Sequence, residues 1–331
     1  MSPFVVALDV GGTSMKGGLV TRSGEIVRTD RRATPRDRGP AAVIATIRSF
    51  IDDLAAAGGG TPEGVGLAVP GLVTAEAALY SANIGWRDVP ATDLVPLDVP
   101  VMLGHDVRTG GLAESVLGAG REVSDFLFLP IGTGIAGAMI LQGEPYGGSG
   151  GWGGEIGHIP VFPEGEPCAC GQVGCLETYA SASAVARRYS DRAAGAPPSA
   201  QPGPSSAATV PSVTAEQVAA LTASGDPLAT EIWGDAVEAL SLALATYTLL
   251  LDPSVIVLGG GLAEAGPLLS DPLAERLRKR LTFRDAPPLR QAALGVSAGM
   301  LGAALLGWRA AGFTDAGTTW SLDVLKSSRV A

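Results

Sequence analysis

The length, composition and charge of the chain limit the kinds of protein that it can encode. Its 331 residues are 46% hydrophobic and 17% charged, a balance that buries a large apolar surface and excludes intrinsic disorder. At about 150 residues per domain, the length predicts two domains. The formal net charge of −10 repels phosphate backbones and anionic lipids, so neither nucleic acid nor a membrane is expected as a partner.

Neither the first residues nor the most apolar segment predicts export or membrane insertion. Residues 1–9 lack the basic start and the cleavage site of a secretory signal. The longest apolar segment, residues 239–251, is shorter than the roughly 20 residues that span a bilayer, so we interpret it as a buried helix. The cysteines, an odd number within residues 168–175, do not suggest a disulfide framework. A cytoplasmic location is therefore expected.

Strand and helix patterns alternate in the first part of the chain. The elements predicted there are, in order, strands at 4–9 and 15–20, a helix at 40–57, strands at 64–69 and 99–103, and a helix at 110–117. The first two strands flank a glycine turn and form a predicted hairpin. This alternation indicates an α/β protein.

The second part of the chain repeats the hairpin pattern. Its predicted elements are strands at 126–131 and 135–141, helices at 183–192 and from Thr214 onward, one long helix or a pair of helices at 227–251, a strand at 255–258, and a helix at 297–311. Thr214 and Gln217 have the spacing of a capping box. Residues 193–213 are rich in Ala, Pro, Ser and Gly and predict a flexible insert, and the polar tail from Thr314 is predicted to be loose.

The first hairpin turn combines an acidic strand end with glycines. Asp9 is followed by Gly11, Gly12 and Thr13, with Lys16 in the next strand. Glycine amides can approach phosphoryl oxygens because no Cβ obstructs them, and a strand-end carboxylate can hold Mg²⁺ through water. By itself the turn is equally compatible with an ordinary hairpin.

Two further glycine turns favour a nucleotide over an ordinary hairpin. Thr133 and Gly134 lie in the second hairpin turn, and Gly260 lies in a glycine run after the strand at 255–258. A polyphosphate requires several such turns facing one cleft.

A cysteine-rich segment predicts a metal site. Cys168, Cys170 and Cys175 are all the cysteines of the chain, and His158 precedes them. Three thiolates and one imidazole complete a tetrahedral zinc site with no position left for water, so this zinc is predicted to be structural rather than catalytic. The alternative is three unrelated buried thiols.

Carboxylates near this segment suggest a site for a polyol. Glu155 and Glu177 flank His158 in sequence, and a metal-braced loop of such acceptors suits several sugar hydroxyls, although solvated surface charges fit the spacing equally well. Asp106 follows the strand at 99–103, where α/β proteins place catalytic groups. From the sequence alone, a turn or a helix cap explains His105 and Asp106 more simply.

Together these motifs resemble those of ROK family sugar kinases (repressor, open reading frame, kinase), from Val5 to about Gly312. The motifs that carry the resemblance are DVGGTSMK (9–16), VPGLV (69–73), ANIGW (82–86), IGTGI (131–135), GEIGH (154–158), CACGQVGCLE (168–177), VLGGG (257–261) and SAGMLGAA (297–304). The pairing of GEIGH with the cysteine segment is this family's own signature.

The resemblance implies an actin-like, ribonuclease H-like fold of two α/β domains with ATP and sugar in the cleft between them. It implies an N-terminal domain at 1–114, a larger domain at 115–296, a helix at 297–312 that packs back on the first domain, and a tail at 313–331. The implied activity is transfer of a phosphoryl group from ATP, with Mg²⁺, to the C6 hydroxyl of glucose or a related hexose. A homodimer or homotetramer is expected by analogy.

The resemblance also assigns roles to individual residues. The implied sugar-binding residues are Gly71, Asn83, His105, Asp106, Glu155, His158 and Glu177. The implied nucleotide and Mg²⁺ residues are Asp9, Gly11, Gly12, Thr13, Lys16, Thr133, Gly134 and Gly260. Asp106 would take the proton of the sugar hydroxyl, and His158 would bind zinc through one ring nitrogen and sugar through the other.

One departure from the family pattern leaves the sugar open. ROK sugar kinases usually carry Asn-Asp where this chain has His105-Asp106, followed by small residues where this chain has Val107, Arg108 and Thr109. Because imidazole is bulkier than an amide and can be charged, His105 is compatible with glucose, another epimer or an acylamino sugar. The alternative functions are therefore an N-acylhexosamine, mannose or allose kinase, or a catalytically silent sugar sensor. Polyphosphate is an alternative to ATP as the phosphoryl donor.

A transcriptional repressor, the other function found in this family, is not expected. The phosphate hairpin begins at Phe4, which leaves no room before it for a DNA-binding domain, and the negative charge argues the same way.

Overall fold

The computed structural model describes residues 2–196 and 213–321, so most of the predicted insert at 193–213 and residues 322–331 of the predicted tail lie outside the described residues. The strands of the described part are β1 (Phe4–Val10), β2 (Ser14–Thr21), β3 (Ile26–Ala33), β4 (Val65–Val69), β5 (Leu72–Val73), β6 (Ala77–Tyr80), β7 (Arg87–Pro90), β8 (Val101–His105), β9 (Phe126–Pro130), β10 (Ala138–Leu141), β11 (Glu144–Tyr146), β12 (Val255–Gly259) and β13 (Leu289–Gln291). The helices are α1 (Pro40–Gly58), α2 (Ala91–Leu94), α3 (Asp106–Leu117), α4 (Glu177–Ala180), α5 (Ala182–Ala193), α6 (Ala215–Ala223), α7 (Pro227–Leu251), α8 (Gly260–Ala263), α9 (Pro267–Arg280) and α10 (Ala298–Ala310).

The chain forms two compact units. Unit 1 consists of the described residues of Met1–Glu122, Gly143–Gly153 and Ala293–Ala331, and unit 2 consists of those of Val123–Gln142 and Gly154–Ala292. The domain boundaries expected from the sequence, at residues 114 and 296, stay a prediction.

Unit 1 is built on a five-stranded sheet in the order β3-β2-β1-β4-β8. Antiparallel β2 forms the predicted hairpin with β1, and β4 pairs in parallel with both β1 and β8. Residues of α1 such as Phe50 are buried in one hydrophobic cluster of the unit, and residues of α3 and α10 such as Trp308 are buried in the other. Because β1 and β8 run in the same direction, Asp9 near the end of β1 and Asp106 after β8 lie at the same edge of the sheet.

Unit 2 contains a run of strands in the order β10-β9-β12-β13, in which β12 is parallel to both of its neighbours. Its core packs around α7, which contacts α5, α6 and α9. By length and composition α7 is the one helix of the described part that could cross a membrane, but 56% of its apolar stretch is buried. It is a core helix, as its sequence predicts.

Several elements differ from the sequence-based expectation. Helix α3 begins at Asp106 rather than at residue 110, because His105 caps it. β10 begins at Ala138 rather than at residue 135. The tail is not loose where it is described, because Trp320 is buried and its Nε1 donates to Arg22 O at 2.8 Å.

Candidate active site and metal centre

The turn between β1 and β2 is braced on one side and open on the other. Gly11 N–H donates to Ser14 O at 3.1 Å, and Thr34 Oγ1 donates to Gly11 O at 2.7 Å. A Cβ placed at Gly12 would meet nothing within 4 Å, so packing does not require glycine at this position. The open side therefore leaves room for a ligand close to the backbone, as expected for a phosphate.

Asp9 lies against the first turn of α10. A Cβ at Gly299 would lie 2.5 Å from Asp9 Oδ2, so glycine at 299 makes room for the carboxylate. Burial and then the charge of Asp106 raise the pKa of Asp9 to about 6, whereas Lys16, which faces it across the β1–β2 pair, lowers the pKa. The Lys16 Nζ donates to Val296 O at 3.0 Å. A carboxylate in this environment is stabilised by a bound cation.

Asp106 is the first residue of α3, and its side chain is 32% exposed, so the carboxylate is accessible from one side. Burial raises its pKa to about 6, opposed by the Val107 N–H, which donates to Oδ1 at 2.7 Å, and by the charge of Arg108. Asp106 therefore combines access with a pKa close to neutral, which suits a proton acceptor.

His105 is the N-cap of α3. Its Nδ1 accepts from the Arg108 N–H at 3.5 Å and lies 3.2 Å from Asp106 Oδ1. The His105 side chain is 10% exposed. The helix-cap explanation of His105 thus holds, and the imidazole lies beside the Asp106 carboxylate.

The other predicted sugar-binding residues of unit 1 lie in loops near the sheet β5-β6-β7. Gly71 precedes β5 and has a φ of 96°. Asn83 is exposed in the turn between β6 and β7, where Gly85 N–H donates to Ser81 O at 2.8 Å. Within the described residues, no hydrogen bond joins Gly71 or Asn83 to Asp106.

In unit 2, Glu177 contacts the second glycine turn. Its Oε2 accepts from the Ile135 N–H at 2.7 Å, and a Cβ at Gly134 would lie 2.6 Å from the same oxygen. Burial raises the pKa of Glu177, the Ile135 N–H and His158 lower it, and the charge of Glu155 raises it. Glu155 and His158 are therefore both close enough to Glu177 to act on its carboxylate electrostatically.

Four residues of unit 2 form a candidate metal centre. The ligand atoms of His158, Cys168, Cys170 and Cys175 all lie within 4.8 Å of one another. Cys168 Sγ lies 3.8 Å from His158 Nδ1, and Cys170 Sγ lies 3.7 Å from Cys175 Sγ. Zinc–sulfur bonds of about 2.3 Å in a tetrahedron give edges close to these values. The structure thus brings together all four residues that the sequence singled out.

A buried ion-pair cluster fixes the start of the cysteine loop, residues 166–175, to α5. Glu166 accepts from Arg187 Nη2 at 2.8 Å and from Arg188 Nε at 2.7 Å, and Arg188 Nη2 donates to Asp235 Oδ2 at 2.8 Å. Arg187 and Arg188 are buried. The loop therefore has an attachment to the unit that does not depend on a metal.

The third predicted nucleotide position is next to a cavity. Gly260 begins α8 with a φ of 76°, and a cavity of about 350 Å³ lies beside the end of β12. The residues that line this cavity are Leu258, Ala263, Glu264, Gly266, Pro267, Ser270, Leu289, Arg290 and Gln291. Thr133, by contrast, is exposed in the second glycine turn, and its carbonyl accepts from Ser183 Oγ at 2.5 Å.

Comparison with known proteins identifies the family of this chain. The ROK family model matches residues 5–309. The chain belongs to the ROK family. The glucokinase of Halalkalibacterium halodurans is 33% identical to it over 315 residues, which cover 92% of this chain and 94% of that relative. The N-acetylgalactosamine kinase of Shewanella sp. strain ANA-3 is 32% identical, over 91% of this chain and 95% of that relative.

The ROK fold is also evident in a solved structure. The crystal structure of a ROK family glucokinase from Streptomyces griseus, in complex with glucose and AMPPNP, has a TM-score of 0.75 to this chain at 29% identity, over 92% of this chain and 99% of that chain. The family and the two-domain actin-like fold class predicted from the sequence are therefore confirmed.

Some residues that position the ROK motifs were given no role by sequence reasoning. Thr34 braces the first glycine turn, and Gly299 makes room for Asp9. Arg108 stood out only as a departure from the family pattern, and Glu166 not at all. Gly299 lies within the motif SAGMLGAA (297–304), which marks it as a candidate functional position. The partner of each of these residues is distant in sequence and cannot be inferred from spacing.

Proposed function

We propose that this ROK protein is an ATP-dependent hexose kinase that phosphorylates the C6 hydroxyl of glucose or a closely related hexose. The observation that carries the proposal is Asp106, an accessible carboxylate with a pKa of about 6 at the sheet edge that also holds Asp9. A base with this pKa is ionised at pH 7 and still accepts a proton readily.

The chemical step follows from this placement. Asp106 accepts the proton of the C6 hydroxyl as that oxygen forms a bond to the γ-phosphorus of ATP. The bond between the γ-phosphorus and the bridging oxygen breaks, and ADP leaves with the bond's electron pair. The Val107 N–H, which donates to Asp106 Oδ1 at 2.7 Å, holds the carboxylate in place during the transfer.

The nucleotide would be bound by residues from the glycine turns. Gly12 leaves open space for a phosphate, Gly11 and Thr13 lie beside it, and Lys16 carries the nearby positive charge. Asp9 fits Mg²⁺, because this ion prefers carboxylate oxygens as ligands. The negative charge of the neighbouring Asp106 disfavours ionised Asp9, and a bound cation would offset this repulsion. When bound, Mg²⁺ neutralises charge that develops on the phosphoryl oxygens.

In unit 2, Thr133, Gly134 and Gly260 are the proposed nucleotide contacts. The cavity beside β12 has the mixed apolar and polar lining that an adenosine group requires.

Unit 1 and unit 2 each contain proposed sugar contacts. In unit 1 the proposed contacts are Gly71, Asn83, His105 and Asp106; in unit 2 they are Glu155, His158 and Glu177. The donor set of three cysteines and His158 fits a structural zinc ion. Binding through Nδ1 leaves His158 Nε2 free for a sugar hydroxyl, so zinc would fix the ring that orients the sugar.

A second candidate is a kinase for an N-acylhexosamine, mannose or allose. His105 replaces the asparagine usual in ROK sugar kinases, and the Shewanella relative is an N-acetylgalactosamine kinase. The third candidate function is a silent sugar sensor, which would bind the sugar without turnover. The oligomeric state and the cytoplasmic location stay predictions.

An assay of ADP release with a panel of hexoses separates these functions. The panel contains glucose, mannose, N-acetylglucosamine, N-acetylmannosamine and allose, each with MgATP and, in parallel, with polyphosphate as donor. We expect the highest kcat/KM with glucose and MgATP. A higher value with an acylamino sugar would select the second candidate, and binding without ADP release would select the sensor.

A further inference from the structure

One arginine of unit 1 connects the helix that begins at Asp106 to a glycine-rich loop. Arg108 lies in the first turn of α3 and is 9% exposed. Its Nη1 donates to Gly151 O and to Gly153 O, each at 3.0 Å. Both acceptors belong to the glycine loop, which we define as residues 147–153.

The glycine loop contains few side chains that can hold it in place. Five of its seven residues are glycine, the residue that loses most conformational entropy on ordering. Gly153 N–H donates to Gly147 O at 2.8 Å and closes the loop, and a Cβ at Gly147 would lie 3.7 Å from Arg108 Cζ. The loop therefore folds around the guanidinium group, which supplies its buried polar anchor.

The same guanidinium group acts on Asp106. Burial raises the pKa of Asp106, and the charge of Arg108 opposes this increase. Among the described residues, Asp9 from β1 and His105 at the start of α3 are the other charged or titratable groups that face Asp106, and Lys16 from β2 acts on Asp9. Arg108 is thus the cation on this helix turn that favours the ionised base.

We propose that Arg108 is a positioning residue for phosphoryl transfer, which holds the glycine loop against the first turn of α3 so that Asp106 and the loop keep one arrangement. The inference rests on the proposed hexose kinase function.

Two substitutions separate the roles of the Arg108 charge and of its planar donor group. Arg108→Lys keeps the charge but loses the rigid fork of donors, and Arg108→Met removes both. Arg48→Lys is the matched control, because Arg48 of the same unit also donates to a backbone carbonyl, that of Asp93, at 2.8 Å. Its contact lies outside the proposed site.

Trp152 provides a readout that does not require activity. It lies in the glycine loop and is 57% exposed, whereas Trp86, Trp233, Trp308 and Trp320 are buried. Time-resolved fluorescence anisotropy, with the signal of a Trp152→Phe variant subtracted, therefore reports the local motion of the loop. We expect a larger amplitude of fast motion in both Arg108 variants and none of this change in Arg48→Lys.

The kinetic readouts distinguish positioning from a structural role. We expect kcat/KM for the hexose to fall about tenfold or more in both Arg108 variants. We expect the acid limb of its pH profile to move upward in Arg108→Met but not in Arg108→Lys, because only the Met variant loses the positive charge. Unchanged kinetics, pH limb and Trp152 motion in folded variants would overturn the inference, as would a lower Tm alone. If Arg108→Met does not fold, Arg108→Lys carries the test. If the unmodified chain phosphorylates no hexose, the proposed function fails, and the anisotropy comparison still decides whether Arg108 anchors the loop.

Discussion

The carboxylates of Asp9 and Asp106 lie at the same edge of the unit 1 sheet, and the negative charge of Asp106 acts on Asp9. Burial first and Asp106 second raise the pKa of Asp9 to about 6, and burial raises the pKa of Asp106 to about 6. One of these groups is the proposed base and the other the proposed Mg²⁺ ligand. Their protonation should therefore set the acid limit of activity.

The pH dependence of kcat/KM tests this directly. Asp106 must be ionised to accept a proton, so we expect kcat/KM for glucose to fall as the pH falls through about 6, and not near the ordinary aspartate value of 3.8. The measurement is a profile from pH 4.5 to 8.5 at constant ionic strength. A profile that stays flat down to pH 5 would contradict a raised pKa at the base.

The same shift has the opposite consequence for stability. A carboxylate whose pKa is raised in the folded state destabilises the fold above that pKa, and the cost disappears as the pH falls towards the unfolded value. We therefore expect Asp106→Asn to raise Tm at pH 7.5, by about 2–4 °C for each kcal/mol relieved, and to raise it by less near pH 4.5. Asp98→Asn, at an exposed position of the same unit, is the control. An equal effect of Asp106→Asn at both pH values would exclude this explanation.

Gly12 separates a ligand-binding role from a packing role. A Cβ there would meet nothing within 4 Å of the protein, so Gly12→Ala should leave Tm within about 1 °C of the unmodified chain. It should raise KM for ATP about tenfold or more, because the methyl group occupies the space proposed for a phosphate. Differential scanning fluorimetry and ATP titrations measure the two effects. An unchanged KM for ATP would remove this turn from the nucleotide site.

The metal centre gives a prediction about composition. Elemental analysis by mass spectrometry should find one zinc per chain, and Cys175→Ser should lose it, lower Tm and raise KM for the sugar, because His158 is no longer fixed. Val173→Ala, at an exposed position in the same loop, should change none of these values. Zinc-free protein with unchanged Tm and sugar KM would show that the four residues are not a structural metal site.

Local patterns explain why much of the fold and of the metal centre was predictable. The hairpin of β1 and β2 follows from apolar runs on either side of glycines, and the capping box of Thr214 and Gln217 forms as expected. The four proposed zinc ligands were identified because their residue types and spacing are informative even without the fold. Each of these features is encoded within a short segment.

Features that depend on distant partners were missed. β3 was missed because its residues are charged and mostly exposed at a sheet edge, without an alternating pattern, and α9 contains Pro272. The carboxylate of Glu114, a fully buried residue, accepts from the N–H groups of Ala119 and Leu294, and no local signal predicts a partner as distant in sequence as Leu294. The anchoring of the glycine loop by Arg108 belongs to the same class, because it exists only in the folded chain.

The most direct test of hexose phosphorylation by this chain compares Asp106→Asn with Asp98→Asn in the ADP-release assay with glucose and MgATP. We predict that Asp106→Asn lowers kcat by about 100-fold or more and leaves ATP binding nearly unchanged, whereas Asp98→Asn keeps the kcat of the unmodified chain. Turnover by folded Asp106→Asn at the rate of the unmodified chain would contradict the assignment of Asp106 as the base.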